Sequence, residues 1–374
     1  MALIVVESDA SLAETAAALA RSTSIAVDTE ADSFHSYWHR TCLLQLSAAG
    51  TDYIVDPLIV QPVLLADVFA NPAIEKIMHA GENDIRILKR DYRFTFRTLF
   101  DTMIAARILG YPRWGLADLL RNAFGIELDK RYQRMDWSER PLPRPALEYA
   151  AEDTRHLAAL RVKLMEELER DGRVEEAFEE FVRLEQTPAA DRGFDPDDFW
   201  RVKGSRDLEP SQRPALRELY RLRDEIARRS NRPPFRIMPD ATLIAVARAA
   251  PETEAELARL TGVSPYVAQR YGRALLGAVR RAAGSPPILI ERTRPDEAVL
   301  ARYDALRAWR NKRAAERRVE GEVIVSNSVL TVLAAEPPAG RAELEATGIL
   351  GQWKLKTYGD EILAVLNPRP SSLT

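Results

Sequence analysis

Asp28 and Glu30 close the apolar run Ile25-Ala26-Val27-Asp28-Thr29-Glu30, and a carboxylate at the end of a buried strand is costly unless a positive charge sits on it. Side chains two apart on a strand share a face, so both present oxygen donors in one direction. Such a pair suits a hard cation, Mg²⁺ or Mn²⁺, which takes carboxylate oxygens and keeps water positions open for a phosphate. A strand that simply ends in solvent accounts for Asp28-Thr29-Glu30 equally well, and further acids shift the balance towards a site. From Leu147 to Leu157 apolar residues recur at helical spacing, with Tyr149 and Asp153 one turn apart on one face. A phenol beside a carboxylate can position a water; the plainer alternative is a helix-surface pair. Between these groups the apolar run Ile74 to Met78 leads into His79-Ala80-Gly81-Glu82-Asn83-Asp84, a strand turning into a helix with Asp84 in its first turn. Asp101, the nearby rival carboxylate, heads Asp101-Thr102-Met103-Ile104 and reads as a helix N-cap.

The elements that must hold these groups alternate in type. Leu3 to Val6 reads as a strand, and Ser8-Asp9 caps an alanine-rich helix to about Ala20. Ile25 to Glu30, Thr41 to Ser47 and Tyr53 to Asp56 follow as strands without an intervening helix. Then come strand Ile74–His79, helix Asn83–Arg90, strand Thr98–Phe100, and helical patterns over Arg144–Glu169 and Arg173–Gln186. The order describes a mixed sheet surrounded by helices. Thr187 to Pro210 is rich in Pro, Gly and Asp and reads as a linker with one short packed piece at Phe199-Trp200.

Composition narrows the class. A chain of 374 residues accommodates two or three domains. With 46% hydrophobic and 29% charged residues it resembles a globular protein rather than a disordered or membrane-embedded one. No apolar stretch approaches the length of a membrane span, and Met1-Ala2-Leu3-Ile4-Val5-Val6 lacks the features of a signal peptide. The single cysteine, Cys42, forms no internal disulfide, reads as a buried small hydrophobe and suits the cytoplasm. With four histidines beside it, no zinc site is expected. Residues 1–205 carry net charge −10 and residues 206–374 carry +7, the asymmetry expected when one part holds metal ions and another approaches a polyanion.

Asp28-Thr29-Glu30, His79-Ala80-Gly81 with Asp84, and Tyr149-Ala150-Ala151-Glu152-Asp153, in this order, resemble the three motifs of the DEDD superfamily of 3′-to-5′ exonucleases, in its tyrosine branch. Together with Asp136-Trp137-Ser138-Glu139-Arg140-Pro141-Leu142, their wording is similar to the ribonuclease D family. The resemblance implies a ribonuclease-H-like α/β exonuclease domain over residues 1–186. It also implies two Mg²⁺ ions, with Mn²⁺ as substitute, held by Asp28, Glu30, Asp84 and Asp153, and a water oriented by Tyr149. Phe34, Trp38, Gln45 and His79 are candidates for gripping the terminal nucleotide. The implied activity is trimming of 3′ ends of tRNA precursors and other small structured RNAs, with release of nucleoside 5′-monophosphates. The alternative is a nucleic-acid-binding scaffold whose exonuclease domain is inactive or directed to DNA.

Beyond a linker over 187–210 the chain repeats itself. Leu222-Arg223 answers Leu306-Arg307, Leu243 answers Leu330, and Tyr271-Gly272 answers Tyr358-Gly359. The offset of 84 followed by 87 predicts a three-residue insertion near Val319–Glu322. Each copy reads as a small helical bundle, with Asp240 or Asn327 capping its middle helix and a Thr-Gly pair breaking the next. Such a period marks duplicated domains rather than a solenoid. The copies, over 211–288 and 296–369, resemble all-α HRDC domains, most closely at Arg232-Pro233-Pro234-Phe235. Tyr266 with Arg270-Tyr271-Gly272-Arg273, and Trp353-Lys354-Leu355-Lys356-Thr357-Tyr358, mix basic and aromatic residues as RNA contacts do, with bundle core the alternative for such aromatics.

Overall fold

The computed structural model describes residues 1–129, 131–191, 193–289 and 296–368. Lys130, Arg192 and Arg369, which the ranges above include, lie outside the described residues. Its strands are β1 (Ala2–Val6), β2 (Ser24–Ala31), β3 (Thr41–Ala48), β4 (Thr51–Val55), β5 (Glu75–Met78) and β6 (Leu99–Asp101). Interleaved and following are α1 (Asp9–Leu19), α2 (Ala66–Ala70), α3 (Glu82–Tyr92), α4 (Thr102–Leu109), α5 (Leu116–Phe124), α6 (Arg144–Arg155), α7 (Leu157–Arg170) and α8 (Val174–Glu185). The strands form one sheet in the order β1-β4-β3-β2-β5-β6. It is mixed: β3 runs antiparallel to β4, while β1 with β4, β2 with β5, and β5 with β6 run parallel. Every residue of β3 is buried, as a central strand covered on both faces requires. Leu44 and Leu46 enter the main core, and Leu43 packs beside Ala146, Ala150 and Ala151 of α6.

The helical pattern over Arg144–Glu169 is two helices, broken at His156 between α6 and α7. Arg155, the last residue of α6, turns back to Asp52 of β4, Nε to carboxylate 2.8 Å. Asp52 also accepts from Ser47 Oγ at 2.6 Å, and Ser47 meets the Thr154 hydroxyl at 2.7 Å. The final turn of α6, which carries Asp153, is thereby tied to the sheet.

Two compact units emerge, each described by itself. The first comprises the sheet with its helices and the chain from Arg294 onward; the second comprises Ala31–Arg40 and Asp191–Thr293. In the second unit α9 (Arg213–Ser230), α10 (Pro234–Ile237), α11 (Asp240–Ala249), α12 (Glu254–Ala258) and α13 (Pro265–Ala282) form a bundle. The expected linker is partly bundle: Phe199, Val202 and Leu208 are buried in its core. Phe199 packs on Trp200 at 4.4 Å between ring centroids, the short packed piece expected there, and the polar composition around it hid only that Val202 and Leu208 join it. The other bundle, in the first unit, is built from α14 (Glu297–Arg317), α15 (Gly321–Ile324), α16 (Asn327–Ala335), α17 (Arg341–Ala346) and α18 (Gln352–Leu366).

The two bundles correct the repeat register. Buried Arg223 donates to Met238 O and to Asp240 (2.7 Å), and buried Arg310 donates to Val325 O and to Asn327 (2.8 Å). Arg223 therefore answers Arg310 rather than Arg307; the chain reversals at Asn231 and Arg318, both left-handed, keep the same spacing. The expected insertion is absent there, because a buried hydrogen-bonding role, not letter identity, defines equivalence. Neither Asp240 nor Asn327 caps its helix: Pro239 and Ser326 hold the cap positions, and the two polar side chains face the buried arginines.

Within the first unit α8 is docked on the second bundle through three acids. Glu176, fully buried, pairs with Arg317 (2.9 Å). Glu179 accepts from the main-chain N–H groups of Trp353 (2.5 Å) and Lys354 (3.3 Å) at the start of α18, and Glu180 pairs with Lys354 Nζ at 2.6 Å. Lys354 and Tyr358 are buried, and the Arg317 guanidinium lies over Trp353. Lys354, Trp353 and Tyr358 thus serve intramolecular packing, the second of the two roles open to them from sequence.

Candidate active site

Asp28 and Glu30 occupy the end of β2. Asp84 arrives from β5 through a tight turn in which Ala80 adopts φ 56° and Gly81 packs so closely that a Cβ would lie 2.8 Å from Met78. Asp101 secures this turn from β6. Its carboxylate accepts from Gly81 N (2.8 Å) and caps α4 through Met103 N (2.9 Å) and Ile104 N (3.0 Å), so it is the N-cap that its position predicts. Thr29, which strand alternation turns away from its neighbours, donates its hydroxyl to Asp84. It was not expected at the site; a hydroxyl between two acids was the only available signal.

The electrostatics bring the four expected carboxylates together. Burial, followed by the charges of Asp84, Asp153 and Glu30, holds Asp28 well above the usual carboxylate range. Burial with Asp153 and Asp84 pushes Glu30 up to about 8, and burial with Glu152 pushes Asp153 to about 7. Asp84 rises to about 6 through burial, moderated by the Thr29 hydrogen bond. Tyr149 belongs to the same constellation: burial, then Asp153, Glu30 and Asp28, raise its phenol.

The other candidates have different surroundings. Gln45 is completely buried on β3, and neither amide atom finds a hydrogen-bond partner among the described residues; covered in this way it cannot grip a nucleotide. His79 Nδ1 meets the Thr102 hydroxyl at 2.9 Å, and burial lowers its pKa to about 4, so the ring is neutral at pH 7. Phe34 and Trp38 are exposed and belong to the second unit. There Trp38 N–H donates to Asn231 (3.0 Å), Tyr37 donates to Asp224 (2.6 Å), and Arg228 lies over both Tyr37 and Trp38.

The donor set fits hard divalent cations: all-oxygen ligands, negative in excess, with burial and mutual repulsion favouring their neutral forms. As they stand, no three His, Cys, Asp or Glu side chains among the described residues are gathered into a ready-made cage.

A family model described as a 3′-5′ exonuclease matches residues 3–169, and the HRDC domain model matches 212–279 and 299–366. The two HRDC matches are offset by a constant 87, in agreement with the arginine register. Ribonuclease D of Gluconacetobacter diazotrophicus is 30% identical over 362 residues, 94% of this chain and 89% of that protein. The chain belongs to the ribonuclease D family. As a ribonuclease D it is a 3′-to-5′ exoribonuclease, a family whose exonuclease domain generally works with divalent metal ions. The crystal structure of Escherichia coli RNase D shares the fold over 99% of this chain and 100% of that one, with a TM-score of 0.74 at 24% identity. The catalytic core of RRP6 from Trypanosoma brucei is 32% identical, covering 75% of this chain and 80% of that one, with a TM-score of 0.68.

Proposed function

We propose that this ribonuclease D removes nucleotides one at a time from the 3′ ends of tRNA precursors and other small structured RNAs, releasing nucleoside 5′-monophosphates in the cytoplasm. The observation that carries the reading is the shared field of Asp28, Glu30, Asp84 and Asp153, in which Asp28 feels the other three. Asp28, Glu30 and Asp153 would hold one Mg²⁺, and Asp28 with Asp84 a second, with Mn²⁺ able to substitute. Bound there, two such ions offset negative charge on the phosphoryl oxygens and on the departing 3′ oxygen and acidify a water. Asp28 suits the shared position because three other acids bear on it. Thr29 steadies Asp84. Tyr149 keeps the proton on Oη at physiological pH, since its surroundings raise the phenol, and can therefore donate a hydrogen bond that aligns the attacking water.

RNA guidance fits the first bundle better than the second. On α13 Tyr266 is 55% exposed, Arg270 lies over Tyr271, and the Arg273 side chain is exposed. Stacking faces beside cations suit single-stranded nucleic acid without sequence preference.

Timed digestion of 5′-labelled single-stranded RNA, matched DNA and a tRNA bearing a short 3′ tail, in Mg²⁺ or EDTA, tests the reading. Single-nucleotide ladders from the 3′ end are expected with both RNAs in Mg²⁺ only. Asp28→Asn should lose about two to three orders of magnitude in turnover without a fall in melting temperature. Near-normal turnover in that variant would remove Asp28 from the metal site, and equal digestion of DNA would widen the substrate.

A further inference from the structure

We propose that Trp137 is a positioning residue for Tyr149, and that the segment Asp136-Trp137-Ser138-Glu139-Arg140-Pro141-Leu142 acts on catalysis through that phenol. The inference rests on the reading of Tyr149 as the group that aligns the attacking water. No hydrogen bond among the described residues holds the Tyr149 hydroxyl, so its aim depends on how its ring is packed. Trp137 supplies a face: the two rings lie 6.1 Å apart between centroids and only 23° from parallel. Tyr132 adds a tilted contact at 5.8 Å and 54°.

The indole is itself firmly placed. Trp137 is 1% exposed, in a cluster with Cys42, Leu43, Ile54 and the α6 alanines. Its carbonyl accepts from Arg140 Nη1 at 2.7 Å. Arg140 in turn grips both oxygens of buried Asp56 just after β4 (2.5 and 2.9 Å) and the Cys42 carbonyl of β3 (3.0 Å). Asp136 braces the other side by accepting from Ser138 N (3.0 Å) and Oγ (2.6 Å). The indole N–H finds no hydrogen-bond partner among the described residues. A buried unmet donor is a cost that an aliphatic side chain of similar bulk avoids, so a flat ring at this position serves something other than filling. The flat ring gives the phenol a surface that restricts tilt, and a small error in the placement of a reacting group costs rate steeply.

The test is a kinetic cycle in the full-length protein, with Trp137→Leu, Trp137→Phe and Tyr149→Phe alone and combined. The readouts are kcat and KM on short single-stranded RNA, Mn²⁺ affinity by calorimetry, and melting temperature. Trp137→Leu should lower kcat about ten- to a hundredfold, leave KM and Mn²⁺ affinity within about twofold, and have no further effect in the Tyr149→Phe background. Trp137→Phe, which retains an aromatic face, should recover most of the rate. If Trp137→Leu does not fold, the same cycle is run with Trp137→Phe, whose smaller loss should likewise vanish without the hydroxyl. Losses that multiply with a slow Tyr149→Phe would overturn the role of Trp137 and leave that of Tyr149 intact. A wild-type rate in Tyr149→Phe would instead overturn the reading of Tyr149, and this inference with it.

Discussion

Asp84 and Asp101 carry the same carboxylate into different surroundings. Asp101 is buried and accepts three main-chain N–H groups, from Gly81, Met103 and Ile104, whereas Asp84 accepts from the Thr29 hydroxyl and lies in the field of Asp28. Asp101→Ala is therefore expected to cost about 2 kcal/mol, a cap and a buried hydrogen bond together, with partial loss of rate. Asp84→Ala should abolish cleavage with little loss of stability. Paired denaturation and rate measurements decide, and the reverse pattern would move the metal ligand to Asp101. The acids also set a pH dependence. All four site carboxyls are raised above their ordinary values, to about 8 for Glu30, 7 for Asp153 and 6 for Asp84. The folded state then binds more protons than the unfolded state between about pH 4 and 8, so metal-free stability should fall as pH rises through that window. Melting curves in EDTA should show this decline and saturating Mg²⁺ should flatten it; a flat EDTA profile would mean that the carboxyls do not interact as described. The pairings of Asp28 with Glu30 and of Tyr149 with Asp153 were legible because strand and helix periodicity aligns them locally, whereas Asp84 was singled out by the family resemblance. The part of Thr29 was not legible, since it acts through a partner distant in the chain, and Trp137 was visible only as a member of the segment that carries the family resemblance.

At the scale of elements, α8 shows how an acidic helix face misleads. Glu175, Glu176, Glu179 and Glu180 resemble a solvated face, yet Glu176 is fully buried against Arg317 and Glu179 meets the first amides of α18. Removing one partner of a buried pair strands the other charge, so Glu176→Ala should destabilise the protein by about 3 kcal/mol, the lower end of the usual range because Arg317 retains 20% exposure. Exposed Glu175→Ala should change stability by less than about 0.5 kcal/mol. Chemical denaturation of both variants tests the contrast, and equal effects would mean that the docking of α8 contributes nothing. The break at His156 was equally hidden, because apolar spacing continues across it while Arg155 is drawn to Asp52.

For the whole molecule, the charge imbalance does not translate evenly into an RNA-binding surface. Arg317 and Lys354 of the second bundle are engaged by buried or half-buried Glu176 and Glu180, whereas Arg270 and Arg273 of the first bundle stand on an accessible helix beside Tyr266, Arg273 in a solvent-exposed pair with Glu254 at 3.3 Å. Each cation that neutralises a phosphate releases counterions from the RNA, so the double variant Arg270→Gln with Arg273→Gln should flatten the salt dependence of affinity for tailed tRNA by a slope of about 1 to 2. Affinity measured across a salt series tests this, and an unchanged slope would assign that face to protein contacts instead. The sequence by itself determined the mixed sheet, the acids at its strand and helix ends, the tyrosine one turn from Asp153, and the duplicated helical half, because periodicities of two, 3.6 and a whole domain are written in local order. Only the tertiary structure decided that Arg223 answers Arg310, that Gln45 is sealed within the fold, that Phe199 belongs to a bundle, and that α8 accepts the basic residues of the second copy. Those facts depend on which distant residues become neighbours on burial, and a buried ion pair or ring contact between them leaves no spacing along the chain to read.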